Sequence, residues 1–169
     1  MISRFAVNLL AACGLRPALA LLACFAAAPA SAEVYTYIKL GIMDVDVSAR
    51  DNPVNLAIDI GYDLDSDFAN MSIEAEINRS VDHGKTRDGD HLEFESNGLY
   101  LVYRTTRSLF ATLRLGIVEN NIVKGSSSNR DNGIAIGGSV GMVIGRTRLQ
   151  IEYTSIAGDA NFFSVGLAF

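Results

Sequence analysis

The stretch Asn161-Phe162-Phe163-Ser164-Val165-Gly166-Leu167-Ala168-Phe169 decides the fold. In an extended chain successive side chains point to opposite faces. Phe163, Val165, Leu167 and Phe169 therefore share one side, and Ser164, Gly166 and Ala168 share the other. Water penalises such a row of exposed apolar side chains, whereas hydrocarbon does not. The pattern suits the closing stave of a barrel set in lipid.

The same period of two recurs upstream in segments of about ten residues, separated by Gly, Asn, Asp and Ser clusters. Val34, Thr36, Ile38, Leu40 and Ile42 oppose Tyr35, Tyr37, Lys39 and Gly41. Leu56, Ile58, Ile60 and Tyr62 oppose Ala57, Asp59 and Gly61. Ala69, Met71, Ile73, Ala75 and Ile77 oppose Asn70, Ser72, Glu74, Glu76 and Asn78. Leu109 to Ile117, Ile134 to Gly145 and Arg148 to Thr154 repeat the alternation. The segment from Leu92 to Arg104 is apolar on both faces over Leu99-Tyr100-Leu101-Val102-Tyr103, as a bulge or a tightly packed interior would produce. With the closing strand the count is eight, an even number, as an antiparallel closed sheet with both ends on one side requires. The connections Asp63–Asp67, Thr105–Ser108 and Gly145–Arg146 are short. Those at Asp44–Val54, Arg79–His91 and Glu119–Gly133 are long and polar, and Ser155–Asn161 is modest. The part Ser126–Gly133 reads as a mobile, hydrated loop.

The expected architecture is all-β: an eight-stranded antiparallel transmembrane β-barrel. A bilayer offers no hydrogen-bond partners, so a spanning sheet must close on itself. A soluble sandwich or lipocalin-like barrel would turn the less apolar row to water. That row here holds Gly41, Gly61, Gly116, Gly137, Gly141 and Gly166, which fits a narrow lumen better. Tyr62, Phe68, Tyr153, Phe163 and Phe169 can supply an interfacial aromatic belt, although the chain has no Trp.

Residues 1–32 read as a signal peptide and 33–169 as the barrel domain. Arg4 and Arg16 form a positive front, Ala18–Ala28 is an apolar run too short to span a bilayer, and Ala30-Ser31-Ala32 is a cleavage site. A retained anchor helix, or lipidation at Cys13 or Cys24, is the alternative. Both cysteines lie in the leader, so cleavage removes thiolate chemistry and disulfides together. It also leaves 12 basic against 19 acidic residues, a net charge of −7. With no basic cluster, nucleic acid is not an expected partner.

On these residues the chain resembles the small eight-stranded outer-membrane β-barrel family, with its OmpA-type, OmpX-type and opacity-protein-like members. The resemblance rests on the leader ending Ala30-Ser31-Ala32 and the opening strand Tyr37-Ile38-Lys39-Leu40-Gly41. It rests also on Leu149-Gln150-Ile151-Glu152-Tyr153-Thr154 and the closing Phe163-x-Val165-x-Leu167-x-Phe169. It covers the whole mature chain and is closest to the members that have no periplasmic domain. It implies a place in the bacterial outer membrane among lipid and lipopolysaccharide. It also implies that Phe163, Val165, Leu167 and Phe169 form the C-terminal signal read by the barrel-assembly machinery.

The inward row carries Lys39, Asp59, Glu74, Glu76, Arg114, Arg148 and Glu152. A barrel of eight strands is just wide enough for side chains to fill, and unpaired buried charge is costly. The expectation is a plugged lumen in which Lys39 and Arg114 neutralise Glu74, Glu76 and Glu152. The protein is then a non-enzymatic surface protein, whose loops serve envelope integrity, adhesion or a surface ligand. An ion path past the same charges, as in a small-conductance porin, is the alternative. A lipid-A-modifying enzyme is another, since His83 and His91 stand near Ser80, Asp82, Asp88 and Asp90. That constellation lies in a polar loop, not on rigid strands at the lipid face, so no catalytic residue is assigned. The loop Val81–His91 offers oxygen and nitrogen donors, but its spacing matches no calcium loop and Lys85 and Arg87 dilute its charge. No metal or cofactor is expected.

Overall fold

The computed structural model describes residues 34–45, 49–64, 70–105, 107–157 and 160–169. The expected signal peptide, both cysteines, Phe68 and Ala69 lie outside the described residues. Ten strands follow in order: β1 (Val34–Val45), β2 (Ala49–Asp51), β3 (Val54–Asp63), β4 (Met71–Asp82) and β5 (Gly84–Thr86). Then come β6 (His91–Arg104), β7 (Leu109–Lys124), β8 (Ser127–Ile144), β9 (Thr147–Ile156) and β10 (Ala160–Ala168).

Eight of them are staves. Neighbours pair antiparallel in the sequence β6-β4-β3-β1-β10-β9-β8-β7, and a β6–β7 ladder closes the ring. The closing strand read from sequence, β10, pairs with β1 through Leu40↔Val165 and Ile38↔Leu167. The two remaining strands, β2 and β5, form a short ribbon at the loop end, with β5 resting on β6.

The alternation turns the chain inside out relative to a water-soluble fold. Leu113, Ile117, Ile136 and Val140 on the outer face are each more than 60% exposed, while Lys39, Asp59 and Arg114 inside are at most 2% exposed. Only a hydrocarbon surround makes that exchange favourable, because each fully exposed Leu or Ile in water forgoes about 1.5–3 kcal/mol. Tyr153 and Phe163 are cross-strand neighbours on the outer face, and the Tyr153 hydroxyl donates to Asn161 Oδ1 at 2.8 Å. That arrangement, apolar ring and hydrogen-bonded tip, suits a bilayer interface.

The tight turns carry their chemistry in one residue. Gly125-Ser126 joins Lys124↔Ser127, and Gly145-Arg146 joins Ile144↔Thr147. In each, glycine comes first with φ of +55° or +65°, the left-handed conformation a two-residue hairpin needs at that position.

Asp44–Val54 and Arg79–His91, read as loops, hold β2, β5 and the end of β4; a third loop reading changes, and the open reading of Leu92–Arg104 is decided. The segment Glu119–Gly133, with Ser126–Gly133 inside it, is not an irregular loop: β7 and β8 continue as a regular hairpin in water, paired without a break from Val118↔Gly133 to Lys124↔Ser127. Polar residues on both faces hid these strands, since a hairpin standing in water has no apolar row to reveal its period. The segment Leu92–Arg104 contains no bulge, because its ladders to β4 and β7 keep one register throughout. Tyr100 and Val102 are buried inside and Leu99, Leu101 and Tyr103 face out, so its two apolar faces are lumen packing and lipid.

Candidate functional site: the lumen and the loop end

Six staves send side chains to one point inside the barrel. Lys39 Nζ (β1) lies 2.9 Å from Asp59 Oδ2 (β3), 2.5 Å from Glu76 Oε2 (β4) and 2.9 Å from Glu152 Oε1 (β9). Arg114 Nη1 (β7) reaches the same acids, at 2.6 Å from Glu152 Oε1, 3.1 Å from Glu76 Oε2 and 3.8 Å from Asp59 Oδ2. Its guanidinium lies 3.6 Å from the centre of the Tyr100 ring (β6), a close cation–π contact. The Tyr100 hydroxyl donates to Glu76 Oε1 at 3.3 Å, and Gln150 and Thr154 each donate to Glu152 at 3.1 Å. Two cations thus hold three carboxylates, and neutral donors add hydrogen bonds to Glu76 and Glu152, while Asp59 is held by the cations alone. In a region shielded from water such charges are stable only as a paired and hydrogen-bonded set.

Glycine makes the room. A Cβ on Gly166 would meet the Lys39 stem, on Gly116 the Tyr100 ring, and on Gly61 the Tyr35 ring. These three inward glycines are therefore the negatives of the large inward side chains beside them, whereas a Cβ on Gly41 would meet the backbone of β10.

Glu74 does not join this centre, contrary to the sequence expectation that Lys39 and Arg114 neutralise it. It accepts from Arg104 Nη2 at 3.0 Å and from the Tyr35 hydroxyl at 2.8 Å, nearer the turn end of the barrel. Arg104 also sits 4.8 Å from the Tyr35 ring centre and 5.6 Å from that of Tyr37. Arg148 lies in the same layer, 5.5 Å from the Tyr35 ring centre. Asp59, given no partner from sequence, belongs to the central set. Arg104 was missed because it ends the strand whose inward face the sequence left open. Tyr100 and Arg104 share parity on that strand, so assigning Tyr100 to the lumen would have placed it.

Towards the loop end the interior gains apolar side chains, with Asn55, Asn78, Ser96 and Asn120 buried among them and Asn55 donating to Asn78 Oδ1 and the Phe94 carbonyl. Met43, Leu92, Phe94, Ile156 and Phe162 are fully buried and pack with Val45, Val118 and Ala160. The lumen is layered, from aromatic and cationic at the turn end, through the ion cluster, to a packed layer of apolar and uncharged polar side chains at the top. Near the turn end Thr112 Oγ1 and Ser139 Oγ also share a hydrogen bond.

The histidines lie outside the lumen. His83 Nδ1 is 3.2 Å from Glu93 Oε1, and the His83 and His91 ring centres are 5.8 Å apart. Ser80 is turned the other way, its hydroxyl within donating distance of Asn55 Oδ1 at 3.0 Å and the Phe94 carbonyl at 3.1 Å and accepting from Phe94 N–H at 2.9 Å. The Ser–His pairing weighed for catalysis is therefore not assembled. Among the described residues no three His, Cys, Asp or Glu side chains converge to hold a metal. Phe163, Val165, Leu167 and Phe169 form one exposed outer row, 41–69% accessible.

An inside-out closed sheet with an ionic interior defines an integral membrane β-barrel, and comparison with known proteins agrees. The family model described as outer membrane protein beta-barrel domain matches residues 17–169, and the chain belongs to that family. Its place is the outer membrane of the Gram-negative envelope. No curated protein matches it in sequence. Among solved structures, Neisserial surface protein A is similar at TM-score 0.54 and 14% identity, covering 82% of this chain and 97% of that one. OprG from Pseudomonas aeruginosa gives 0.54 and 12%, with 80% and 95% covered. Ail, the attachment invasion locus protein of Yersinia pestis, solved with the heparin analogue sucrose octasulfate, gives 0.52 and 12%, with 81% and 94% covered. At these identities the likeness is one of fold.

Proposed function

We propose that the protein is a non-enzymatic outer-membrane barrel with a closed lumen, acting at the cell surface through its loop end, in envelope integrity or in adhesion. The observation behind this reading is the ion cluster: Lys39 and Arg114 bridge acids from three other staves, and every member is at most 3% exposed. An ion moving through would have to separate these pairs and then pass the packed, uncharged layer that holds Met43, Phe94 and Phe162. Each step costs far more than thermal energy. With the interior spent on packing, the surfaces left for function are the outer face and the loops. Ail, a barrel of similar fold, was solved with a sulfated sugar bound, which supports a surface ligand as a role such a scaffold can take.

Within this reading the partners are lipid and lipopolysaccharide around the apolar band, and the barrel-assembly machinery at Phe163, Val165, Leu167 and Phe169. A surface ligand at the loops completes the set. Single-channel recording of the refolded protein in planar bilayers tests it. Silence is expected, and steady, reproducible conductance steps would replace it with a small-porin reading. Lipid A mass spectra from cells with and without the protein are expected to match; a changed acyl pattern would make it an enzyme.

A further inference from the structure

Lys39, Arg104 and Arg114 are each ion-paired inside the barrel. Arg148 is not: among the described residues it forms no ion pair, and its partners are aromatic. Its row explains where it goes. Tyr37, Ala168 and Arg148 stand level on β1, β10 and β9, and the small Ala168 lets the long Arg148 side chain cross β10. Its guanidinium lies 5.5 Å from the Tyr35 ring centre and comes up to the Tyr37 hydroxyl. Arg104 reaches the same two rings from β6, at 4.8 Å from the centre of Tyr35 and 5.6 Å from that of Tyr37. The rings themselves meet edge to face at 5.6 Å. Three buried donors remain there without a hydrogen bond of ordinary geometry: the Tyr37 hydroxyl, Arg104 Nε and Arg148 Nη1. Tyr37 is 1% exposed. The nearby acceptor, Glu74 Oε1, is already shared by the Tyr35 hydroxyl and Arg104 Nη2. Two guanidiniums thus face one buried carboxylate, while Asp63, 4.0 Å from Arg104 Nη1, is 35% exposed at the mouth. The central set has one carboxylate more than it has cations, but neither arginine pairs with any of its members.

We propose that the turn end of the lumen binds a small monovalent anion of the chloride class, held by the Tyr37 hydroxyl, Arg104 and Arg148. The donor set selects the sign of the ligand. One phenol O–H and two guanidiniums offer protons, and charge-assisted hydrogen bonds from such groups are strong where water is thin. A water molecule there would still have two protons of its own to place among cations. The charge selects the valence. One guanidinium in excess of the buried carboxylate is neutralised by a single negative charge, whereas sulfate or phosphate would set a second beside Glu74. Buried polar groups are rarely left unpaired, because each such group costs free energy. Arg148 is only partly buried, so the anion enters from the turn end and needs no path through the ion cluster. It completes the lowest layer of the plug, and the inference does not depend on the surface role proposed above.

The chain has six tyrosines and no Trp, so its emission is that of tyrosine, and bromide quenches a ring that it touches. The probe is sodium bromide, titrated into the full refolded protein in non-ionic detergent, with sodium gluconate holding the ionic strength constant. A saturable quenching component is expected above the linear one from the exposed Tyr103 and Tyr153, and sodium chloride should reverse it. Arg148→Gln should raise the half-saturating bromide concentration about tenfold or more. Tyr37→Phe, which keeps the ring and loses the O–H, should raise it about threefold or more. Arg146→Gln, in the exposed neighbouring turn, changes surface charge alone and should stay within about twofold. At constant ionic strength the urea midpoint of the parent should rise with chloride, as binding to the folded state requires, and that of Arg148→Gln should not. Purely linear quenching, or saturation indifferent to Tyr37→Phe and Arg148→Gln in folded barrels, would overturn the site. Sulfate that displaces bromide as readily as chloride does would overturn the single-charge limit. Neither result alters the bilayer recordings, which test the closed lumen separately.

Discussion

Lys39 Nζ lies 2.5 Å from Glu76 Oε2 across the barrel interior, on staves separated by β3, and both groups are buried. Lys39 also touches Asp59 and Glu152, so one ammonium binds three staves to its own. Lys39→Met keeps much of the stem and removes the charge, leaving Arg114 alone with three carboxylates. Removing one partner of a buried ionic set costs about 3–5 kcal/mol. Urea unfolding in detergent should show a loss of that order, and a midpoint unchanged from the parent would mean the lumen charges are solvated. Because the set is shielded, added salt should not reproduce the loss.

The staves, their faces and the inward charges were legible because lipid outside and packed polar groups inside impose opposite demands on alternate residues. Phe163-x-Val165-x-Leu167-x-Phe169 displays that opposition in its simplest form. Partner choice among the charges was not legible. It depends on strand tilt, which brings Glu74 to Arg104 while Glu76, two residues on, meets Lys39 and Arg114. The hairpin above Val118 was hidden for the converse reason: Asn121, Ser128 and Arg130 stand in water, where neither face needs to be apolar. Leu92–Arg104 fell between these cases, apolar on one side for lipid and on the other for packing.

Glu74 and Arg104 form a separate unit, so their substitutions should be coupled to each other and independent of Lys39. Glu74→Lys sets a third cation beside Arg104 and Arg148 and should destabilise the barrel more than Glu74→Gln. A double-mutant cycle with Arg104→Ala should return a coupling of about 0.5–3 kcal/mol. The corresponding cycle with Lys39→Met should be near additive. A large coupling to Lys39 would join the two layers into one network.

Gly116 holds open the space that the Tyr100 ring occupies, a Cβ there would also press on the Leu99 carbonyl of β6, and the ring in turn supports Arg114. Gly116→Val should overpack the lumen and cost about 1–3 kcal/mol. Truncating the obstacle in Gly116→Val/Tyr100→Ala should recover part of that loss, although Tyr100→Ala alone is destabilising. Additive losses would show that the penalty at Gly116 is a backbone effect of the strand and not a collision with the ring.

Phe169 is the last member of the outer row and is 69% exposed. Its backbone is tied to Thr36 in both directions, by Phe169 N–H to the Thr36 carbonyl at 3.2 Å and by Thr36 N–H to the Phe169 carbonyl at 3.5 Å. Two consequences of removing it can be separated. If the residue serves only the seam between β10 and β1, deletion should lower the unfolding midpoint of protein refolded in detergent and lower the yield in cells in proportion. If the outer row is a signal read during assembly, Phe169→Ala, which keeps both backbone bonds, should refold in detergent with near-parent stability. Its yield of heat-modifiable barrel in the outer membrane should nevertheless fall severalfold. The second outcome is expected, because an exposed ring on lipid contributes little to the folded barrel but is available to a receptor before closure. Parent-level yield from Phe169→Ala cells would remove Phe169 from the assembly signal and leave it a seam residue only.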